Sequence, residues 1–223
     1  MTNKPPFAVL FDMDGVLLDS VEASMYSRRK VAHLYGFTPE EMMTHSKPGR
    51  SLLDFYQTLQ RARPFDVNFQ EFSDTILEAV FIYLKKHIKG TDPALVKFIN
   101  DLRAHHVPIA VGTSALKRSA LRKLALAGLQ NTFDVIVTAD DVEHHKPHPH
   151  IYLKAAEWLQ VPPKKCIVIE DAGDGIVSGH AAGMKVVGYA KYVKDASTLR
   201  EADLVVSDFS DLSYQQLTQL LDS

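Results

Sequence analysis

Two aspartates stand two residues apart in Asp12-Met13-Asp14-Gly15-Val16, directly after a short apolar run. Three further polar groups each follow an apolar run later in the chain: Thr113-Ser114, then Lys146-Pro147-His148-Pro149, then Glu170-Asp171 with Gly175. These supply carboxylates, hydroxyls and one ammonium. Clustered carboxylates repel one another unless a cation holds them together. A hard divalent ion with oxygen ligands, such as Mg²⁺, does so and keeps positions open for water and a phosphate oxygen. The lysine and hydroxyls then meet the remaining negative charge of a phosphoryl group. Phosphoryl transfer asks for little more than an in-line nucleophile, charge neutralisation and a proton donor for the leaving group. Each piece also has a plain reading. Paired acids after a strand are often a solvated turn, Thr-Ser is often a helix cap, and Lys-Pro is often a surface turn. Their joint presence in this order carries the chemical reading.

The elements that must position them are legible as well. Phe7-Ala8-Val9-Leu10-Phe11, Pro108-Ile109-Ala110-Val111, Val135-Ile136-Val137 and Cys166-Ile167-Val168-Ile169 read as strands covered on both faces. Val186-Val187-Gly188-Tyr189 and Leu204-Val205-Val206 are shorter candidates. Between them, Pro93 to Ala104, the Leu121-Leu124-Ala125 segment stopped by Gly128, and Ile151 to Leu159 carry helical spacing. Strands alternating with helices predict an α/β fold, a Rossmann-like parallel sheet with helices on both faces. Ligands of such sheets bind outside the carboxyl ends of the strands, where all four polar groups fall.

The stretch 18–90 differs, with helix signals and almost no strand signals. Thr38-Pro39-Glu40-Glu41 is a helix start, and Phe69 to Lys86 is a long helical pattern with Phe72, Ile76, Ala79, Val80, Tyr83 and Leu84 on one face. The chain therefore divides into a core of residues 1–17 and 91–223 and an inserted α-helical cap of residues 18–90.

Composition bounds the setting. With 25 basic and 27 acidic residues the formal net charge is −2, so no broad basic field is available for nucleic acid or anionic membrane. One cysteine, Cys166, excludes an intrachain disulfide. No apolar run approaches the ~20 residues of a membrane helix, and the N-terminal run is too short for a signal peptide. The expectation is a cytoplasmic monomer acting on a small phosphorylated metabolite.

The ordered set of four motifs resembles the haloacid dehalogenase-like superfamily over essentially the whole chain, most closely its phosphatase and β-phosphoglucomutase branch with a helical cap. The resemblance implies that Asp12 is the nucleophile that forms an aspartyl-phosphate, and that Asp14 is general acid and then base. It implies that Thr113 bonds the phosphoryl group, with Ser114 beside it, and that Lys146 neutralises charge. Mg²⁺ would be bound by Asp12, the Asp14 backbone carbonyl and Asp171, with Glu170 behind them or as an alternative ligand. Asp14 is absent from the dehalogenases that name the superfamily, and its presence favours phosphate esters, whose alkoxide leaving group needs a proton. Gly49-Arg50-Ser51 resembles the cap loop that reaches the active site. Arg50 is either a substrate contact or an ordinary exposed arginine. The mutases carry a histidine where this chain has Ser24, which favours hydrolysis. A phosphomutase and a non-catalytic binding protein on the same fold are the alternatives.

Other features take plainer readings. His144, His145, His148 and His150 are dense, but Pro147 and Pro149 forbid the helix that would align His144 with His148 as zinc ligands. Cys166 begins an apolar strand and reads as packed. Asp140-Asp141 are helix caps or loop charges. Gly173, Gly175 and Gly179 loosely echo a dinucleotide fingerprint, but Asp171 and Asp174 among them would repel a pyrophosphate.

Overall fold

The computed structural model describes residues 6–46, 50–88 and 90–223. Six strands form one parallel sheet: β1 (Ala8–Phe11), β2 (Ile109–Gly112), β3 (Val135–Val137), β4 (Cys166–Glu170), β5 (Lys185–Tyr189) and β6 (Leu204–Val206). Their order across the sheet is β3-β2-β1-β4-β5-β6. The chain leaves β1 for β2 and β3 on one side and returns to β4 on the other. The strand order therefore reverses between β1 and β4, and a crevice opens at their carboxyl ends. Register aligns that edge. Phe11 pairs with Val111 on one side and Ile169 on the other, so Asp12, Gly112 and Glu170 leave the sheet abreast.

Strand β1 is buried on both faces. Val9 and Phe11 join one apolar cluster, and Ala8 and Leu10 join the other. Alternation along a pleated strand sends successive side chains to opposite faces, so a run with no polar residue must be covered twice. The cover is helical: α5 (Pro93–Ala104) supplies Leu95, Phe98 and Leu102 to the first cluster, and α7 (His150–Leu159) supplies Ile151, Tyr152 and Ala155 to the second. Helices α6 (Lys117–Leu126), α8 (Gly173–Ala181) and α9 (Tyr214–Asp222) complete the two layers.

Between β1 and α5 the described residues contain helices α1 (Val21–Val31), α2 (Pro39–Thr44), α3 (Leu52–Ala62) and α4 (Phe69–His87) and one 3₁₀ turn. Their starts are local. Thr38 and Glu41 form a capping box with Pro39 in the first turn, and Ser51 and Asn68 cap α3 and α4. These helices close on an apolar cluster of their own, which includes Ala23, Phe55, Leu59, Phe72, Ile76 and Leu84. None of the described helices is long and apolar enough to cross a membrane.

Candidate active site

Asp12 follows β1 directly, and its backbone N–H donates to the Ile169 carbonyl at 2.9 Å. Lys146 reaches it from the loop before α7. The Lys146 ammonium donates to Asp12 Oδ1 at 2.5 Å, to Glu170 Oε1 at 2.6 Å and to the Gly112 carbonyl at 2.9 Å, which uses all three of its protons. Glu170 is equally committed. Its Oε1 also accepts from the Tyr152 hydroxyl at 2.6 Å, and its Oε2 accepts from the Asp171 and Ala172 amides. Glu170 thus holds Lys146 in place, and Asp171 is the less engaged carboxylate of the pair.

Oxygens of Asp12, Glu170 and Asp171 lie within 4.8 Å of one another. Burial, followed by the neighbouring Glu170 and Asp14, pushes the Asp12 carboxyl up to about 7 against the pull of Lys146. Burial, with Asp12 and Glu170, pushes Asp171 up to about 9. Burial opposes the charge on Lys146 too, but Asp12 and Glu170 win and hold its ammonium above the ordinary lysine range. Three crowded carboxylates against one ammonium are short of positive charge. An all-oxygen donor set with that deficit fits a hard divalent cation, and Asp12 and Asp171 have the oxygens to hold it. Two glycines keep the cluster compact. Gly15 has φ +91°, and a Cβ there would overlap the Asp171 carboxylate; a Cβ on Gly175 would overlap Glu170.

Asp14 turns away from this cluster. Its carboxylate accepts from Lys123 Nζ at 2.5 Å and from the Ser20 hydroxyl. Burial acts to raise its pKa, but Lys123 and Ser20 outweigh burial and hold the carboxyl below the ordinary aspartate value. Lys123 is only 4% exposed. It sits on the inward face of α6 with Ser119, Ala120 and Leu124. Sequence reasoning missed Lys123, Ser20 and Tyr152. No sequence signal marked them, since the burial of Lys123 is visible only in the fold. Helix α6 also touches α4: Arg118 pairs with Asp74 and Ser73, and the Arg122 guanidinium lies 3.8 Å from the Phe81 ring centre.

A cavity of about 230 Å³ lies between the sheet edge and the helices α1–α4. Asp12, Asp14, Thr113, Ser114, Arg50 and Asp171 all line it. Gly49 lies outside the described residues. Thr113 Oγ1 accepts from the Ala115 amide at 3.1 Å, and Ser114 Oγ is buried without a partner among the described residues. The helix-cap reading of this pair is corrected. Helix α6 starts after Leu116, and the Asp140 carboxylate accepts from the Lys117 amide at 2.6 Å instead. Asp141 accepts from the Thr138 amide. Arg50 pairs with Asp174 at 2.7 Å, with both side chains partly exposed.

The histidines are also corrected in part. A turn, not a helix, brings the rings of His144 and His148 to 4.7 Å and sets His150 within 6.1 Å of His144. Among the described residues, the acidic trio is still the one group with ligand atoms close enough for a metal. Cys166 is buried, and burial pushes its thiol up to about 12, which makes it inert.

Residues 9–189, from the first strand to the end of β5, match the family described as haloacid dehalogenase-like hydrolase. The chain belongs to this family. Among its haloacid dehalogenase-like relatives are a phosphorylated carbohydrates phosphatase of Thermotoga maritima and hexitol phosphatase A of Escherichia coli. The first is 33% identical over 89% of this chain and 92% of that protein. The second is 32% identical over 92% of each. A β-phosphoglucomutase from Clostridium difficile superposes with a TM-score of 0.82 at 26% identity, over 96% of both chains. The fold is thus shared with a hydrolase family whose relatives here are phosphatases and a phosphomutase.

Proposed function

We propose that this phosphatase of the haloacid dehalogenase-like family is a magnesium-dependent hydrolase of a small phosphorylated metabolite that works through an aspartyl-phosphate on Asp12. The observation that carries the reading is the convergence of Asp12, Asp14, Thr113, Ser114 and Asp171 on one cavity, with Lys146 bonded to Asp12 behind it. The Asp12 carboxylate attacks phosphorus, and the ester P–O bond breaks as Asp14 gives a proton to the leaving alkoxide. Water then attacks the aspartyl-phosphate and loses its proton to Asp14, which returns Asp12 and releases inorganic phosphate. The hydroxyls of Thr113 and Ser114 meet the phosphoryl oxygens, while Lys146 holds the Asp12 carboxylate from behind and offsets its charge. Asp12, Asp171 and the Asp14 carbonyl would hold the cation, which would supply charge neutralisation to the phosphoryl group.

The observed arrangement fits the second half of this cycle directly. Asp14 is kept ionised by Lys123 and Ser20, as a base must be. To act as an acid it has to leave both and take up a proton with substrate bound. Residues 18–90 act in this reading as a cap over the cavity, whose closure excludes water. The cavity is smaller than a drug-sized site, in keeping with a small metabolite.

The likeness to a β-phosphoglucomutase favours a second reading, phosphoryl transfer within a sugar phosphate. Against it, Ser24 lines the cavity where the mutase branch has histidine. Phosphate release from a panel of metabolite monoesters, with Mg²⁺ and with excess EDTA, tests the hydrolase. Activity should require the metal. Rapid conversion of β-glucose 1-phosphate to glucose 6-phosphate without free phosphate, followed by NMR, would select the mutase.

A further inference from the structure

The cations that line the cavity are not equivalent. Lys123 is neutralised by Asp14 at 2.5 Å, and Arg50 by Asp174 at 2.7 Å. Arg28, on α1, lines the same cavity and has no carboxylate at ion-pair distance among the described residues. Its contacts are a 2.6 Å hydrogen bond from Nη1 to the Ser46 hydroxyl and the Phe55 ring, whose centre lies 4.8 Å from the guanidinium carbon. Its Nε is buried and has no acceptor among the described residues.

This is an unusual place for a guanidinium. An aromatic face and one neutral hydroxyl are poor replacements for water around a positive charge. Burial lowers the Arg28 pKa to about 10, with Asp14 supporting the charge. At neutral pH the group remains a cation, with a fork of donors that matches a carboxylate or phosphate. The two faces of the cavity are therefore complementary in sign. On the phosphatase reading, the sheet edge is where one phosphoryl group would be held. The helical side presents a guanidinium that still lacks its anion.

We propose that Arg28 binds a second oxyanion of the substrate, so that the preferred ester carries a carboxylate or a second phosphoryl group at the end remote from the scissile phosphate. This rests on the phosphatase reading above and narrows it. A neutral polyol could accept a hydrogen bond from Arg28 but would leave its charge uncompensated. An oxyanion supplies both.

Three six-carbon esters separate the cases: glucose 6-phosphate has a neutral remote end, 6-phosphogluconate a carboxylate, and fructose 1,6-bisphosphate a phosphate. The wild-type protein with Mg²⁺ should prefer at least one anionic-ended ester by about tenfold or more in kcat/KM, the range of a charge-assisted hydrogen bond. Which one it prefers identifies the oxyanion. Arg28→Met keeps the stem over Phe55, and Arg28→Lys keeps the charge without the fork. The Met variant should collapse the ratio of anionic to neutral kcat/KM toward one, mostly through KM, and the Lys variant should reduce it less. A wild-type preference for the neutral ester, no preference at all, or an equal loss on all three esters in both variants would overturn the assignment.

Calorimetry covers the case of no turnover. With Mg²⁺ present, 6-phosphogluconate or fructose 1,6-bisphosphate should bind Asp12→Asn protein about tenfold more tightly than they bind the Asp12→Asn/Arg28→Met double variant. If no ester is hydrolysed, the phosphatase reading falls, and this contrast alone decides the role of Arg28. Equal binding would refute it.

Discussion

The sheet edge and the helical side of the cavity are built on opposite plans. At the sheet edge Lys146 and Glu170 are over-determined: Lys146 spends three protons on three oxygens, and Glu170 takes four hydrogen bonds. On the helical side the polar groups are sparse and loosely held, as with Arg28 on a single hydroxyl and Arg50 on a partly exposed aspartate. Tight cross-bracing suits chemistry, where a nucleophile must sit within a fraction of an ångström of its productive place. Loose, singly bonded cations suit recognition, where the missing partner is to arrive with the ligand.

The contrast is broken or sharpened by four measurements. Asp12→Asn should lower turnover by on the order of 10⁴-fold or more, as loss of a nucleophile does. It should leave thermal stability intact, because an amide is nearly isosteric and removes one of three crowded charges. Turnover within tenfold of wild type, in phosphate-release assays, would dismiss Asp12 as nucleophile. Lys146→Met should be the most destabilising of these changes, by about 3–5 kcal/mol, since it strands Asp12 and Glu170 side by side in the interior. Urea denaturation reads this; a loss of under about 1 kcal/mol would mean the network is not braced as described.

The third measurement concerns protons. Asp12 and Asp171 titrate near about 7 and about 9 in the folded chain, against an ordinary aspartate value of 3.8. The folded state therefore binds more protons than the unfolded state between those limits. Without metal, stability contributed by these groups should fall as pH rises from about 4 to about 9. A divalent cation requires the deprotonated forms, so its stabilisation should grow over the same range. Melting curves with Mg²⁺ and with EDTA at pH 5.5, 7 and 8.5 should diverge as pH increases. Curves that converge at high pH would remove the metal from the acidic trio. The smallest expected effect is that of Arg50→Ala. The exposed Arg50–Asp174 pair adds about 0–1 kcal/mol, so melting should barely move while KM rises. A fall in kcat with unchanged KM would move Arg50 from recognition into the chemistry.

The same division governed what the sequence disclosed. Asp12, Thr113 and Asp171 were visible because each stands at the end of an apolar strand, where a polar residue has no packing reason to be; Lys146, in the loop before α7, was visible only from its place in the ordered set of motifs. The strands themselves were visible because burial on both faces demands unbroken apolar runs. Lys123 was hidden, because it lies within a helix otherwise rich in lysine and arginine, and only the tertiary fold reveals which of them points inward. Arg28 was hidden for the same reason, beside Arg29 and Lys30. The prolines do keep residues 144–149 out of a helix, but that a turn would still bring the His144 and His148 rings together was not legible in the sequence.

Strand β1 lies in the middle of the sheet, yet it is made first. Its neighbours β2 and β4 come about 100 and 160 residues later in a chain that leaves the ribosome N-terminus first. Until Cys166–Glu170 arrives, β1 has an unpaired edge and an apolar surface on both faces, the features that invite wrong partners. Contacts of such long sequence separation form slowly. Helices α1–α4, with local caps on α2, α3 and α4 and an apolar cluster of their own, have no comparable wait. Asp12 thus remains without Glu170 and Asp171 until β4 docks, and phosphate release becomes a reporter of completed folding as much as of chemistry.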